Sequence, residues 1–262
     1  MRSRRARMIG WRHSKSFDLV MNRILFDADE IQANGTVLLS DERARHLRDV
    51  LKVTPGCEVK SGTVNGLAGT SRIVAVSGAH VTLVPDHKTA MPEPWLDLIL
   101  AVPRPKVLKR LWPQLAALGI GKIVLINAGQ VEKCYFSSHW LDPLYFRPLL
   151  LDGLMQAGTT RIPEVLERRL FKPFIEDELD VLFPISCRLI AHPGPPTSSV
   201  DYCGPSRPLL AVGPEGGWSA FELDLLARHG FQRFSLGERI LRTDTACIAL
   251  IAVLESPIIS AT

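Results

Sequence analysis

Apolar positions follow two different rhythms along this chain. Between residues 22 and 84 they form short runs: Ile24 to Phe26, Thr36 to Leu39, Glu58 to Val64, Ser71 to Val76 and His80 to Val84. Glycines at Gly62, Gly66, Gly69 and Gly78 punctuate the later runs. Closely spaced strands with glycine turns predict a small β-barrel. One short helix interrupts them, with Ser40 as its N-cap, Ala44, Leu47 and Leu51 on one face and Pro55-Gly56 as its stop. The polar, proline-bearing stretch at 86–94 reads as a linker.

From Trp95 the rhythm changes to strand and helix in alternation. Leu96 to Val102, Lys122 to Ile126, Val165 to Glu167, Cys187 to Ala191 and Pro208 to Val212 are short continuous apolar runs. Lys106 to Leu118 and Trp140 to Met155 have helical spacing, the first interrupted at Pro113 and the second at Pro143 and Pro148. This alternation predicts an α/β domain, a mostly parallel sheet with helices on both faces. Near the end, Ser219 and Glu222 form a capping box for a helix over Ala220 to His229, with Phe221 and Leu225 on one face. Asp224 and Arg228 pair on the other face, and Gly230 is the C-terminal stop. The last helix, Thr243 to Leu254, is apolar on every side after its first turn. Such a helix is wholly buried or covered by another subunit, and a homodimer through it is expected.

Charge divides the chain again. Of 31 Lys and Arg and 27 Asp and Glu, six basic residues and one acid fall in the first twenty positions. That segment carries +5 and the remainder −1, so the net charge of +4 describes a basic extension more than the folded body. The expected organisation is a disordered basic extension at 1–21, a β-rich unit at 22–85, a linker at 86–94 and an α/β domain at 95–262. The extension suits a transit segment; the plainer reading is an upstream start codon, with Met21-Asn22-Arg23 as the true beginning. No apolar run is long enough to span a bilayer. The five cysteines are scattered, without a C-x-x-C pair, which fits reduced thiols in a cytoplasmic protein.

Candidate chemistry concentrates in two loops. Gly213-Pro214-Glu215-Gly216-Gly217-Trp218-Ser219 follows a strand and opens a helix. Ser235-Leu236-Gly237-Glu238-Arg239-Ile240-Leu241-Arg242-Thr243 repeats that arrangement. The first is neither a P-loop nor a G-x-G-x-x-G fingerprint, and zincin, nucleophile-elbow and metal-spaced Cys/His patterns are missing. What remains is a ligand held mainly by backbone, with no metal. Gly213, Gly216, Gly217 and Gly237 permit close approach, and Leu236, Ile240 and Leu241 offer an apolar slot for a flat ring.

These residues carry a resemblance. GPEGGWSAFELDLL followed by FSLGERILRTDTACIAL resembles the C-terminal signature of the SPOUT methyltransferases. It is most similar to the family that methylates N3 of a uridine in bacterial 16S ribosomal RNA. His46 to Gly56 resembles that family's N-terminal, RNA-binding, PUA-like barrel. Leu118-Gly119-Ile120, Gln156, Arg161 to Glu164 and Ala191-His192-Pro193 also match in kind, so the resemblance spans residues 22–256. It implies S-adenosylmethionine as cofactor, a deep trefoil knot, a homodimer and small-subunit ribosomal RNA as partner. It further implies a cofactor site made of Ala191, His192, Pro193 and Gly194, then Gly213, Pro214, Glu215, Gly216 and Gly217, then Leu236, Gly237, Ile240, Leu241 and Arg242.

The sulfonium methyl needs no protein nucleophile, but uridine N3 must lose a proton, which calls for a base or a charge-stabilising cation. Glu215 and Arg242 are the catalytic candidates. The plainer readings are an acid at a helix N-terminus for Glu215 and a structural ion pair or partner contact for Arg242. His192 reads as structural, and Trp218 as core. The chain departs from the family at Pro103-Arg104-Pro105-Lys106, at Gln114 and Ala117, at Lys133-Cys134 and at Met155 to Thr159. These departures spare the cofactor loops and bear on the RNA. Two alternatives stay open: another uridine or RNA with the same cofactor, and a non-catalytic knotted RNA-binding or ribosome-assembly protein.

Overall fold

The computed structural model of the protein describes residues 23–184, 186–195 and 206–255. The basic extension expected at 1–21 and Cys203 lie outside the described residues. Two sheets organise the chain. The first is five-stranded, in the order β1-β3-β4-β5-β2, with β1 (Ile24–Phe26), β2 (Val37–Leu39), β3 (Glu58–Thr63), β4 (Ala68–Ser77) and β5 (His80–Thr89). Only the β1–β3 pair is parallel.

Three details depart from expectation. β5 runs on to Thr89, because Gly69 to Ala68 of β4 keep pairing with His87 and Thr89, so the first residues of the expected linker are strand. Asp41, not Ser40, caps the short helix α1 (Glu42–Arg45), since its carboxylate accepts from the Arg43 N–H at 3.0 Å. The carboxylate is held there by the Arg43 guanidinium, which also binds Glu30. Beyond α1 the chain continues as a π turn, His46–Val50.

The second sheet is six-stranded and entirely parallel, in the order β11-β9-β10-β6-β7-β8. Its strands are β6 (Leu96–Ala101), β7 (Ile120–Ile126), β8 (Glu164–Arg168), β9 (Cys187–Ala191), β10 (Pro208–Val212) and β11 (Gln232–Phe234). β6 is buried at every position, as a strand covered on both faces must be. Cys187 is disulfide-bonded, which corrects the expectation of reduced thiols throughout.

The helices are α2 (Pro105–Ala117), α3 (Pro143–Ala157), an irregular α4 through Phe171–Pro173, Phe174–Glu178 and Leu179–Leu182, α5 (Ala220–Arg228) and α6 (Thr243–Glu255). Pro143 starts α3 at its first turn, where a missing N–H costs nothing, so Trp140 belongs to a separate 3-10 turn. α2 and α3 approach closely at Gly153. A Cβ there would fall on the Pro113 carbonyl. Trp112 packs tilted against Phe146, ring centroids 4.9 Å apart, and its indole donates to the Trp140 carbonyl at 3.0 Å.

The alternation of β1 couples the two units. Ile24 and Phe26 enter the core of the first sheet, while Leu25 enters the core of the second. Arg23 reinforces this junction by donating to the carbonyls of Gly158 and Ser61, and Arg147 pairs with Asp27 at 2.6 Å. Among the described residues no helix is long and apolar enough to cross a membrane.

Because α2 and α3 touch through backbone at Gly153, Gly153→Ala is expected to destabilise the protein by about 2 kcal/mol through overpacking. Denaturant unfolding of wild type and variant measures this, and an unchanged midpoint with an unchanged slope would contradict the close approach.

Candidate active site

Parallel strands deliver all their C-terminal loops to one edge. The loops after β6, β7, β9, β10 and β11 therefore gather at one rim of the second sheet. The loop after β10 turns sharply. Gly217 adopts φ +77°, and its N–H donates to the Pro214 carbonyl at 2.8 Å. The chain then folds Trp218 back onto Gly213, where an added Cβ would stand only 2.9 Å from the indole Nε1. Glycine at 213 is thus required by the packing of a side chain five positions on.

Glu222 locks this loop. Only 3% exposed, it accepts from the Ser219 N–H and Ser219 hydroxyl at 2.8 Å and from the Gly129 N–H at 2.7 Å. The expected capping box is present, but it also ties the loop after β7 to the loop after β10. Because Glu222 turns inward, the buried stripe of α5 runs through Glu222, Leu225 and Leu226. Phe221, expected beside Leu225 on that face, is instead 52% exposed. Asp224 and Arg228 do pair, at 2.8 Å, and Gly230 ends the helix at φ +81°.

A second tie joins the loops after β9 and β11. The Ser235 hydroxyl lies 2.9 Å from the Gly194 carbonyl, to which it donates, and accepts from the Gly237 N–H at 3.1 Å. Gly237 takes φ +130°, which suits glycine. The His192 N–H donates to the Phe234 carbonyl at 3.2 Å. The His192 imidazole has its pKa lowered, first by burial and then by the nearby Arg233 charge, so it favours the neutral form.

Between these loops lies a cavity of about 340 Å³. The expected residues Ala191, His192, Pro193, Gly213, Pro214, Glu215, Gly216, Gly217, Leu236, Gly237, Ile240 and Leu241 all line it. Gly194 stands one layer back, in the Ser235 tie. Arg242 does not line it: its side chain is 74% exposed and lies 3.8 Å from Asp244. Val212, Trp218, Phe234, Ser235, Arg239, Thr243, Ala246 and Leu250 line it without having been expected. The spacing of Thr243, Ala246 and Leu250 along α6 was the signal available for three of them. Trp218 is buried as core, yet it also faces the cavity, and its Nε1–H has no acceptor among the described residues.

Glu215 is exposed at the mouth. Its carboxylate accepts from the Arg104 N–H at 3.2 Å, at the N-terminus of α2. The helix start it faces is thus α2, not the α5 start that follows it in sequence. Among the described residues no cluster of His, Cys, Asp and Glu is arranged to hold a metal ion.

Comparison with known proteins now bears on this site. The profile of the RNA methyltransferase domain matches residues 91–255. The ribosomal RNA small subunit methyltransferase E of Treponema pallidum is 30% identical over 241 residues, covering 89% of this chain and 90% of that protein. The chain belongs to this RNA methyltransferase family. The resemblance read from the C-terminal motifs is therefore borne out. The methyltransferase E 1 of Borreliella burgdorferi is 26% identical, covering 92% of this chain and all of that protein. A solved methyltransferase of Legionella pneumophila, in complex with bound SAM, superposes with a TM-score of 0.70 at 27% identity, covering 90% of this chain and 96% of that chain. The enzyme from Neisseria gonorrhoeae, bound to S-adenosyl methionine, has the same fold, with a TM-score of 0.70 at 24% identity and coverage of 89% and 96%.

In this family member the Glu222 tie is a buried carboxylate satisfied by three donors. Glu222→Ala strands the Gly129 N–H and removes a cap, so a loss of about 2 kcal/mol in unfolding free energy is expected. Chemical denaturation checks it; a loss below a few tenths would show that the two loops hold without the carboxylate.

Proposed function

We propose that this protein transfers a methyl group from S-adenosylmethionine to N3 of a uridine in 16S ribosomal RNA of the small subunit. The single observation that carries the proposal is the cavity. Two of its three loops carry the motifs of the family signature, and its size and apolar walls suit an adenosine-sized ligand. The names of the Treponema and Borreliella relatives support the RNA, and the SAM-bound Legionella structure supports the cofactor.

The residues present fit that cofactor. Leu236, Ile240, Leu241, Ala246 and Leu250 would flank the adenine, and backbone groups around Gly213 and Gly237 would receive its polar edges. The buried Trp218 Nε1–H supplies an unsatisfied donor within the same wall. The cofactor's chemistry is a methyl already activated on a sulfonium. The protein's task is then to orient the base and manage its proton. Glu215, exposed at the mouth, would accept the N3 proton. Arg242, between the cavity residues Leu241 and Thr243, would meet charge arriving from outside the protomer.

Four finer readings belong to the same proposal. The first sheet forms a PUA-like RNA-binding barrel. The passage of the chain from β11 back across to α6, which contacts α2 and β10, forms a trefoil knot. Two copies pair through α6, whose buried face holds Cys247, Leu250 and Ile251 while Val253 stays exposed in the single protomer. The protein works in the cytoplasm, where its RNA is assembled.

The test uses purified protein, labelled S-adenosylmethionine and small subunits from cells lacking this gene. New N3-methyluridine detected by mass spectrometry is the expected result; cofactor binding without label in the RNA would redirect the reading to another RNA. Glu215→Gln and Arg242→Ala should each lower turnover by roughly 100-fold, the scale of losing a proton acceptor or a charge-stabilising donor. Light scattering should report a dimer for both variants, and a wild-type monomer at micromolar concentration would remove the α6 interface.

A further inference from the structure

Positive charge and aromatic rings gather on one face of α2. The chain beyond its first twenty residues carries a net −1, yet α2 holds Lys106, Lys109 and Arg110 and no acid. Its buried stripe includes Leu108, Leu111, Trp112 and Leu115, so the three cations share the exposed face. They crowd the N-terminal half of the helix, where the dipole opposes positive charge. Asp244 of α6 accounts for Arg110, at 2.8 Å. Lys106 has no ion pair among the described residues. Lys109 places its ammonium 4.6 Å from the centre of the Trp140 ring.

Trp140 belongs to an aromatic group that core packing does not call for. It lies in a 3-10 turn (His139–Leu141), and its carbonyl receives the buried Trp112 indole, which roots the turn on α2. The His139 ring centre lies 4.4 Å from that of Trp140 and 4.9 Å from that of Tyr145, and Tyr145 meets Trp140 edge-on at 6.1 Å. Phe146 makes the core contact here, while its neighbours Leu144 and Tyr145 are 74% and 45% exposed. His139 is exposed as well. Asp142, the acid within this stretch, is engaged as the cap of α3, accepting from the Leu144 N–H at 2.9 Å. Exposed rings beside ammonium groups stack nucleobases and attract phosphates. The group also stands between the cavity and the first sheet. At one end Glu215, at the cavity mouth, holds the Arg104 N–H just ahead of α2. At the other, Arg147, two residues past Tyr145, pairs with Asp27 next to β1.

We propose that His139 and Tyr145, rooted by Trp140, form a stacking platform for an unpaired base of the substrate RNA, with Lys106 and Lys109 holding the phosphates beside it. The inference rests on the proposed RNA methylation and adds the course of the strand that flanks the target nucleotide. That strand leaves the cavity mouth, follows the exposed face of α2 and passes towards the first sheet. Charge favours RNA over a protein partner, because the helix offers cations and no carboxylate. Every base has a π-face, so the platform holds the strand without reading its sequence. The phosphate contacts fix the strand's position in the same way. Lys106 closes the Pro103–Lys106 segment, where the chain departs from its family.

The test reads binding of the protein to small ribosomal subunits from cells lacking this gene, by filter retention over a series of salt concentrations. Tyr145→Ala and His139→Ala should each weaken binding by roughly 10-fold, the scale of losing one stacked base. Tyr145→Phe, which keeps the ring, should bind as wild type does. Salt tells stacking from charge: Lys106→Gln and Lys109→Gln should each lower the slope of log Kd against log salt by about one, whereas Tyr145→Ala leaves the slope unchanged. S-adenosylmethionine affinity, read by calorimetry, should stay at the wild-type value in Tyr145→Ala, which shows that the fold around the cavity is kept. Tyr145→Phe as weak as Tyr145→Ala, or wild-type binding by both alanine variants, would overturn the platform. So would a dimer that becomes a monomer on Tyr145→Ala in light scattering, which assigns this face to a second copy of the chain. Wild-type protein that binds the subunits without methylating them removes the uridine reading, and the variants still decide the platform. Wild-type protein that does not bind them removes both.

Discussion

The parallel alignment of the six-stranded sheet is the constraint on which the rest depends. A strand buried on both faces, such as β6, must satisfy its backbone through its neighbours and fill both faces with apolar side chains. Placing β10 between β9 and β6 sends its glycine loop out at the same edge as the loops after β9 and β11. The cavity exists because three loops far apart in sequence leave the sheet side by side. No single loop encloses it, and the apolar residues of α6 close it from behind.

Loops that only emerge together would not hold a ligand; they must also be fixed relative to one another. Two buried polar ties do this. Glu222 accepts donors from both the β7 and the β10 loops, and Ser235 joins the β9 and β11 loops. Burying an unpaired carboxylate is costly, and hydrogen bonds to the charged oxygens offset that cost here. Such ties also specify geometry, since a carboxylate meets three donors in only one arrangement of the two loops. Close backbone packing completes the job at Gly213 against Trp218 and at Gly216 against Gln130.

The N-terminal unit is attached by a different device. β1 alternates its side chains between two hydrophobic cores, so the units share a strand's worth of burial. Arg23 donates to carbonyls of both units, and the Thr160 hydroxyl donates to the Gly66 carbonyl at 2.7 Å. This junction sets where the first sheet stands relative to the cavity rim.

The sequence by itself determined the local pieces. Period-two and continuous apolar runs placed β1, β9 and β10 at their observed bounds, because burial on one or both faces dictates those patterns. The Ser219–Glu222 capping box and the Gly230 stop were legible for the same reason: they act within one turn of backbone. The glycine loops were legible as close-approach segments, and all but two of the residues expected at the site line the cavity. Only the tertiary structure decided the relations between pieces. Asp41 displaced Ser40 as a cap because a distant Glu30 and Arg43 organise it, and Phe221 was turned outward because Glu222 reaches Gly129. Arg242 fell outside the cavity for a like reason. Strand order and loop packing, not spacing along the chain, fix which side chains meet, and no periodicity records contacts between residues eighty positions apart.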